Sequence, residues 1–173
     1  MGDRLYEAMV DAFLTKKRDR KRIRTADRGE VRMEHLYESI VGAFLTRNHR
    51  FVCPQYVITP DSGKGEWRCL DFVVLDVEEK RIVVVEVTTS AEFADFVRDA
   101  IELHDKGREK VRKQVVAAFN AYPNIAEWPI EIHLFVREDR ESDLRKRLEA
   151  RKLQFKVFTL EHAFRRWKWD AAK

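Results

Sequence analysis

Cysteine and long apolar runs are both scarce in this sequence, and each absence excludes a class of protein. The two cysteines, Cys53 and Cys69, lack the Cys-x-x-Cys spacing, so neither a disulfide framework nor a structural zinc site is expected. No apolar run approaches the roughly 20 residues of a membrane-spanning helix, and the N-terminus lacks the profile of a signal peptide. We therefore expect an intracellular, cytoplasmic protein without a membrane partner.

The composition indicates one globular domain with a highly charged surface. The chain has 173 residues, 45% hydrophobic and 37% charged, which is enough for one core and too few for two ordinary domains. The net charge is +4, and residues 16–32 hold nine Lys or Arg against three acids. Such a segment can neutralise phosphates, or it can be a solvated basic loop. The candidate nucleic-acid contacts are Lys16, Lys17, Arg18, Arg20, Lys21, Arg22, Arg24 and Lys64.

Two similar segments precede the predicted sheet. Residues 5–15 (LYEAMVDAFLT) and 36–46 (LYESIVGAFLT) are identical at eight of eleven positions. Both carry apolar residues at the i, i+4, i+8 spacing of an amphipathic helix. Only the second leads directly into a strand. We therefore assign residues 1–32 to an N-terminal helix and basic arm, and residues 33–173 to an α/β domain.

Apolar periodicity and turn residues predict the other elements. Strands are expected at residues 51–58, 67–75, 82–88, 130–136 and 155–160, the first two as an antiparallel hairpin. Helices are expected at 91–121, with a break at 104–107, at 142–152 and at 161–169. Thr89 and Glu92 form a capping box at the start of the first of these helices. This order predicts a mixed sheet flanked by helices.

Two of the predicted strands carry one acid each where a core residue is expected. Asp71 precedes the run FVVL, and Glu86 follows the run IVVV. An ionised carboxylate inside a sheet costs several kcal/mol, roughly, unless a cation or hydrogen bonds stabilise it. The pair suggests a metal site, because hard divalent cations take oxygen ligands. The alternative is that both acids reach water at strand ends or pair with an arginine such as Arg68.

Alternation along the strand separates Asp71 from the other acid of its run. Asp71 shares a face with Val73 and Leu75, whereas Asp76 falls on the other face. We therefore interpret Asp76 as a turn residue. The two histidines near the core elements, His104 and His133, lack ligand spacing, so we expect a loop residue and a solvent-facing strand residue.

On the helix after these strands, Lys110 and Gln114 lie one turn apart at the edge of the apolar stripe. Side chains at that spacing share a face, so both could reach a site on the sheet, whereas Lys113 faces away. The alternative is that Lys110 and Gln114 only pair with exposed acids.

These motifs resemble the PD-(D/E)XK nuclease superfamily. The matching stretches are ESIVGAFL, which begins at Glu38, LDFVVLD, which contains Asp71, and VVVEVT, which contains Glu86. The resemblance covers roughly residues 34–137. It implies a restriction-endonuclease-like core of helix, three-strand meander, crossover helix and strand, here with an extra N-terminal helix and a C-terminal αβα extension. It also implies a metal-dependent nuclease that hydrolyses phosphodiester bonds in DNA.

The resemblance assigns a metal site to four residues. Asp71, Glu86 and the backbone carbonyl of Val87 would hold Mg²⁺ or Mn²⁺. Glu38 would hold a second ion or a coordinated water, and Glu34, one turn earlier, is the alternative to it.

The chain departs from the family at one position, where Thr88 replaces the lysine that follows the metal-binding Glu by two residues. A lysine there orients the attacking water and stabilises charge on the phosphate, whereas Thr88 carries no charge. The resemblance then implies a cation from the crossover helix, either Lys110 beside Gln114 or Lys106.

The missing lysine keeps a second function open. In that alternative the fold is catalytically degenerate and serves as a nucleic-acid-binding or assembly module. No phosphate loop, nucleophile elbow or histidine metal pair points to another enzyme class. DNA is the expected partner, RNA stays an alternative, and a homodimer is one arrangement that would act on two strands.

Overall fold

A computed structural model describes residues 30–46, 51–60, 67–89, 93–120 and 122–170. Within these ranges the chain is an α/β fold with a five-stranded mixed sheet. The strands are β1 (Phe51–Ile58), β2 (Arg68–Asp76), β3 (Arg81–Val87), β4 (Ile130–Val136) and β5 (Lys156–Thr159). The helices are α1 (Glu30–Leu45), α2 (Phe93–Glu102), α3 (Arg108–Ala118), α4 (Glu138–Glu149) and α5 (Leu160–Asp170). A π-helical segment, Leu103–Gly107, joins α2 to α3, and Ile125–Glu127 is a 3₁₀ turn.

The five strands lie across the sheet in chain order. Strands β1, β2 and β3 form an antiparallel meander. Strand β4 pairs with β3 in parallel, and β5 pairs with β4 in parallel. Each parallel pair requires a crossover connection, which α2 and α3 provide for the first pair and α4 for the second.

The central strand is apolar on both faces because helices cover both sides of the sheet. Ile82 and Val84 belong to a core cluster that includes residues of α2, α3 and α4. Val83 and Val85 belong to a second cluster with residues of α1 and α5. A strand that is buried on both faces has a continuous run of apolar residues instead of an alternation of apolar and polar residues. This explains the IVVV stretch of β3.

The predicted α/β class and the order of strands are confirmed in the part of the chain that the structure describes. The hairpin of β1 with β2 is antiparallel, as expected. Helix α1 begins at Glu30, before the predicted boundary at residue 33. No described helix is long and apolar enough to cross a bilayer.

Two helix predictions need correction. The helix predicted at 142–152 is α4, Glu138–Glu149. It begins four residues earlier because its first turn holds three acids, which favour a helix N-terminus. The predicted break at 104–107 is a π-helical segment, so His104 lies in a helix and not in a loop.

The widened π-helical turn brings Gly107 close to Trp67. A Cβ atom added at Gly107 would lie 2.6 Å from Cδ1 of Leu103 and 3.0 Å from Cη2 of Trp67. Such distances are too short for a side chain, so this contact between helix backbone and indole requires glycine. The turn thereby fixes the position of Trp67 at the start of β2.

The prediction that His133 faces solvent is wrong. His133 is buried, and its ring lies 5.2 Å from that of Phe158 on β5. Its Nε2 is 2.9 Å from Oε2 of Glu131. Because a carboxylate only accepts hydrogen bonds, the neutral imidazole donates from Nε2. Alternation marked His133 as solvent-facing, but its ring is buried beside Phe158 of the neighbouring strand β5.

His133 predicts a loss of stability in weak acid. Burial lowers the pKa of His133 from 6.5 to about 4, despite the hydrogen bond with Glu131. The unfolded chain therefore takes up a proton on this histidine at a higher pH than the folded chain does, and the contribution of His133 to stability falls as the pH drops from about 6.5 towards 4. Between pH 7.5 and 5.0, we expect the free energy of unfolding of the wild type, measured in urea, to decrease by about 2 kcal/mol relative to that of His133→Gln. Identical pH profiles for the two proteins would contradict this assignment.

Glu131 titrates at a lower pH than His133 and does not affect the comparison of unfolding free energies at pH 7.5 and 5.0. Burial raises its pKa, but the hydrogen bonds from Lys156 and His133 and the charge of Arg81 outweigh burial and lower the pKa to about 2. The stability that ionised Glu131 contributes is lost only as the pH falls from about 4.5 towards 2. Glu86, whose pKa burial raises to about 8, adds stability as the pH falls, but it does so in both proteins. The difference between the wild type and His133→Gln at pH 5.0 therefore isolates His133.

Candidate functional site

A pocket of about 450 Å³ opens where β2 and β3 meet α1 and α2. Its lining is strongly acidic. The acids are Glu38, Asp71, Glu86, Asp99 and Glu102. The aromatic side chains are Tyr37, Trp67 and Phe96. Arg68 is the one cation among the described residues that line the pocket.

The sheet register brings Asp71 and Glu86 together. The pairing of β2 with β3 ends at Phe72 opposite Val85, so the next position on each strand is Asp71 on β2 and Glu86 on β3. Oδ2 of Asp71 accepts a 2.7 Å hydrogen bond from the backbone N–H of Val87. This hydrogen bond fixes the orientation of the Asp71 carboxylate at the point where β2 and β3 separate.

Glu86 is buried and pairs with Arg68. Oε1 of Glu86 lies 3.1 Å from Nε and 3.0 Å from Nη2 of Arg68. Nη1 of Arg68 also donates to the backbone carbonyl of Asp99 in α2, at 2.9 Å. The arginine pairing that was one alternative in the sequence is thus present for Glu86.

Asp71 strengthens the preference of Glu86 for a nearby cation or a proton. Burial, and then the charge of Asp71, raise the pKa of Glu86 to about 8, although the contacts with Arg68 act in the opposite direction. Two ionised carboxylates in one poorly solvated place repel each other. A divalent cation between them would remove that repulsion, so the electrostatics favour cation binding.

Glu38 lies at the same pocket and contacts Gln55, a residue that no sequence pattern singles out. Nε2 of Gln55 donates to Oε2 of Glu38 at 3.1 Å, and Sγ of Cys69 donates to Oε1 of Gln55 at 3.5 Å. Gln55 has a left-handed backbone, with φ of 52°, which is uncommon for a residue with a side chain. Nothing in the run VCPQYV signals that conformation.

The predicted crossover-helix residues do not line the pocket. Nζ of Lys110 lies 5.6 Å from the ring centroid of Trp67. Gln114 donates to the backbone carbonyl and to Oγ1 of Thr59, at 3.1 and 2.6 Å. Lys106 is exposed, and its Nζ lies 3.9 Å from Oε1 of Glu102. Lys113 is exposed, as predicted.

Thr88 also stands outside the pocket lining, where Thr89 is found instead. The backbone N–H of Thr88 donates to the carbonyl of Phe135 on β4 at 2.9 Å. Thr88 thus continues the hydrogen bonding between β3 and β4. The position where the superfamily that the sequence resembles has a lysine makes a backbone contact between strands in this chain.

Asp76 ends β2 and combines a turn contact with an ion pair. Its Oδ1 accepts a hydrogen bond from the backbone N–H of Glu79 at 3.3 Å. Its Oδ2 lies 2.9 Å from Nη2 of Arg81, and Arg81 contacts Glu131 on β4. This cluster excludes Asp76 from the pocket.

Several predicted residues lie outside the residues that the structure describes. They are Lys16, Lys17, Arg18, Arg20, Lys21, Arg22, Arg24, Lys64 and the capping residue Glu92. The side chain of Glu34 is likewise outside the described part. The basic arm therefore stays a prediction from sequence.

The oxygen donors of the pocket fit a hard divalent cation that takes only a few of its ligands from the protein. Among the described side chains, no group of three or more His, Cys, Asp or Glu is placed to hold a metal ion. The available donors are the carboxylates of Asp71 and Glu86, with Val87 beside them in the lining. Mg²⁺ keeps several waters and uses one or two carboxylates together with substrate phosphates, and two carboxylates satisfy that need.

No family model matches this chain, and neither a curated protein nor a solved structure matches it. The interpretation of the pocket therefore depends on its own geometry. That geometry combines a buried Glu86 beside a half-buried Asp71, one arginine and an aromatic wall.

Proposed function

We propose that this protein is a metal-dependent nuclease that hydrolyses phosphodiester bonds in DNA. The observation that carries the proposal is the placement of Asp71 next to Glu86 at the open end of β2 and β3, in one acidic pocket. The order of elements supports it, since a helix, a three-strand meander, a crossover and a parallel strand surround the acids as in a restriction-endonuclease-like core. We propose Mg²⁺ or Mn²⁺ as the cofactor.

The residues of the pocket would hold the cofactor and orient the substrate. A bound divalent cation lowers the pKa of its water and offsets charge on the phosphate. Asp71 and Glu86 supply the carboxylate ligands. The Val87 N–H fixes the carboxylate of Asp71, and the Gln55 amide orients Glu38. Groups held in this way need little rearrangement when charge develops on the phosphate.

A cleavage assay tests the proposal directly. Supercoiled, linear, branched and single-stranded DNA, with a matched RNA, are incubated with Mg²⁺, Mn²⁺ or EDTA. We expect cleavage of at least one DNA substrate in Mg²⁺ or Mn²⁺ and none in EDTA. Cleavage that persists in EDTA would overturn the metal assignment, and a chain that cuts no substrate would overturn the nuclease assignment.

A second function is favoured by one specific observation, the ion pair of Arg68 with Glu86. That pair neutralises Glu86 without a metal, as expected of a nuclease fold that only binds nucleic acid. This alternative predicts DNA binding in EDTA, with an affinity that falls steeply with salt, and no cleavage in any divalent ion. Calorimetric titration with Mn²⁺ separates the two functions, because only the nuclease requires Mn²⁺ binding that depends on Asp71 and Glu86.

A further inference from the structure

Arg68 lines the pocket and connects β2 to two other elements, β3 and α2. It starts on β2, contacts Glu86 on β3 with two nitrogens, and donates its third to the Asp99 carbonyl of α2. Its side chain is only 17% exposed. The guanidinium is thus ordered by charge-assisted hydrogen bonds, which are stronger than bonds between neutral groups.

The guanidinium occupies one of the two carboxylate oxygens of Glu86. Both Arg68 contacts with Glu86 reach Oε1. A divalent cation coordinated by that oxygen would stand beside a second positive charge, in a pocket with little water to screen the repulsion. The two cations therefore compete for one carboxylate.

Among the described residues, Arg68 is the one cation that lines the pocket, beside five acids. Thr88 carries no charge. Lys106 lies 3.9 Å from the lining acid Glu102, and Lys110 lies over the lining Trp67, but neither lysine is part of the lining itself. A guanidinium matches two phosphate oxygens with its fork of N–H donors, so Arg68 has the chemistry that the site otherwise lacks.

We propose that Arg68 is a built-in counter-ion that releases Glu86 when a divalent cation binds, and then binds the substrate phosphate. This inference rests on the proposed nuclease function and adds to it the source of the positive charge. The contact with the Asp99 carbonyl keeps the released side chain at the pocket. Without a metal, the same arginine neutralises Glu86 and keeps the acid pair compatible with the fold.

The first half of the inference is tested by metal affinity without any substrate. Calorimetric titration with Mn²⁺ compares the wild type, Arg68→Met and the control Arg165→Gln, which removes a 69%-exposed arginine from a surface pair. Loss of a charge-assisted hydrogen-bond pair predicts roughly ten-fold tighter Mn²⁺ binding by Arg68→Met. The control should bind as the wild type does. Equal or weaker binding by Arg68→Met would overturn the inference.

A spectroscopic measurement separates release from simple charge repulsion. The side-chain Nε–H of Arg68 in ¹⁵N-labelled wild type is followed by NMR during titration with Mg²⁺. Release predicts a shifted, rapidly exchanging signal at saturation, with the same midpoint as metal binding. A signal that stays unchanged at saturating Mg²⁺ would overturn the inference, and this test needs no variant to fold.

The phosphate half is tested by binding and by cleavage. The probe is a single-stranded 20-nucleotide DNA in Ca²⁺, which takes the same oxygen ligands. We expect about ten-fold weaker binding by Arg68→Met, and about 100-fold slower cleavage at saturating Mn²⁺. Arg68→Lys keeps the positive charge but lacks the paired N–H donors of the guanidinium. Its DNA affinity and its cleavage rate should therefore lie between those of the wild type and those of Arg68→Met. Wild-type DNA affinity in Arg68→Met would overturn the phosphate role.

These readouts keep the two proposals apart. If Arg68 is released and binds DNA in Ca²⁺ but no substrate is cut, the nuclease proposal fails and the Arg68 inference stands. If cleavage requires Asp71 and Glu86 while the Arg68 signal and Mn²⁺ affinity do not change as predicted, the inference fails and the nuclease stands.

Discussion

Replacing Glu86 with Gln, or Asp71 with Asn, is expected to reduce DNA cleavage by about 1000-fold. Each change removes one of the two carboxylates that the sheet register places together. The measurement is the initial rate of cleavage at saturating Mn²⁺, with Mn²⁺ affinity measured alongside. Both variants should bind Mn²⁺ more weakly than the wild type.

The folded state of these variants should survive, which makes the result interpretable. Each amide keeps an oxygen that can accept the wild-type hydrogen bond, from Arg68 in Glu86→Gln and from the Val87 N–H in Asp71→Asn. Burial already opposes the charge of Glu86 and raises its pKa to about 8. Glu141→Gln is a matched control, because Glu141 forms an ion pair with Arg145 at 2.7 Å on the surface of α4. Variants that melt as the wild type does and still cleave at its rate would refute the assignment of the acid pair.

Replacing Arg81 with Met is expected to destabilise the protein by about 3 kcal/mol. Two of its nitrogens contact Oδ2 of Asp76, at 3.0 and 2.9 Å, and a third contacts Glu131 at 3.3 Å. The side chain of Asp76 is only 3% exposed. Removing the arginine leaves that carboxylate buried without its cation, a larger penalty than the loss of a surface pair. Urea unfolding at pH 7.5 measures the difference.

Arg165→Gln is the control for this experiment as well. Its ion pair with Glu138 is 3.3 Å long and both side chains are largely exposed, so its loss should change stability by about 0.5 kcal/mol or less. Equal unfolding midpoints for Arg81→Met and Arg165→Gln would show that the Asp76 cluster contributes nothing beyond a surface pair.

The strands and their order could be predicted from the sequence because the signals are local. The runs FVVL and IVVV are short and rich in β-branched residues, and β3 and β4 have apolar residues on both faces. Asp71 and Glu86 stood out for the same reason, since each interrupts an apolar run. The register that sets them side by side follows from the tight turn between β2 and β3.

The sequence left Arg68 as one alternative partner of those acids and could not decide between it and a metal, because the partner depends on which elements meet in space. Arg68 is 18 residues from Glu86 and 31 from Asp99. Gln55 reaches Glu38 from 17 residues away, with a backbone conformation that its neighbours do not signal. Helical periodicity placed Lys110 and Gln114 on one edge correctly but could not show that Trp67 and Thr59 stand there.

Local sequence patterns were enough to predict the α/β class, the positions of the five strands and the two acids that interrupt them. Packing in three dimensions established that Arg68 pairs with Glu86, that His133 is buried beside Phe158 of β5 and that the crossover-helix polar residues lie outside the pocket lining. The physical reason is the range of the interactions. Periodicity and turn chemistry act over a few residues, whereas the environment of a charge depends on every element packed around it.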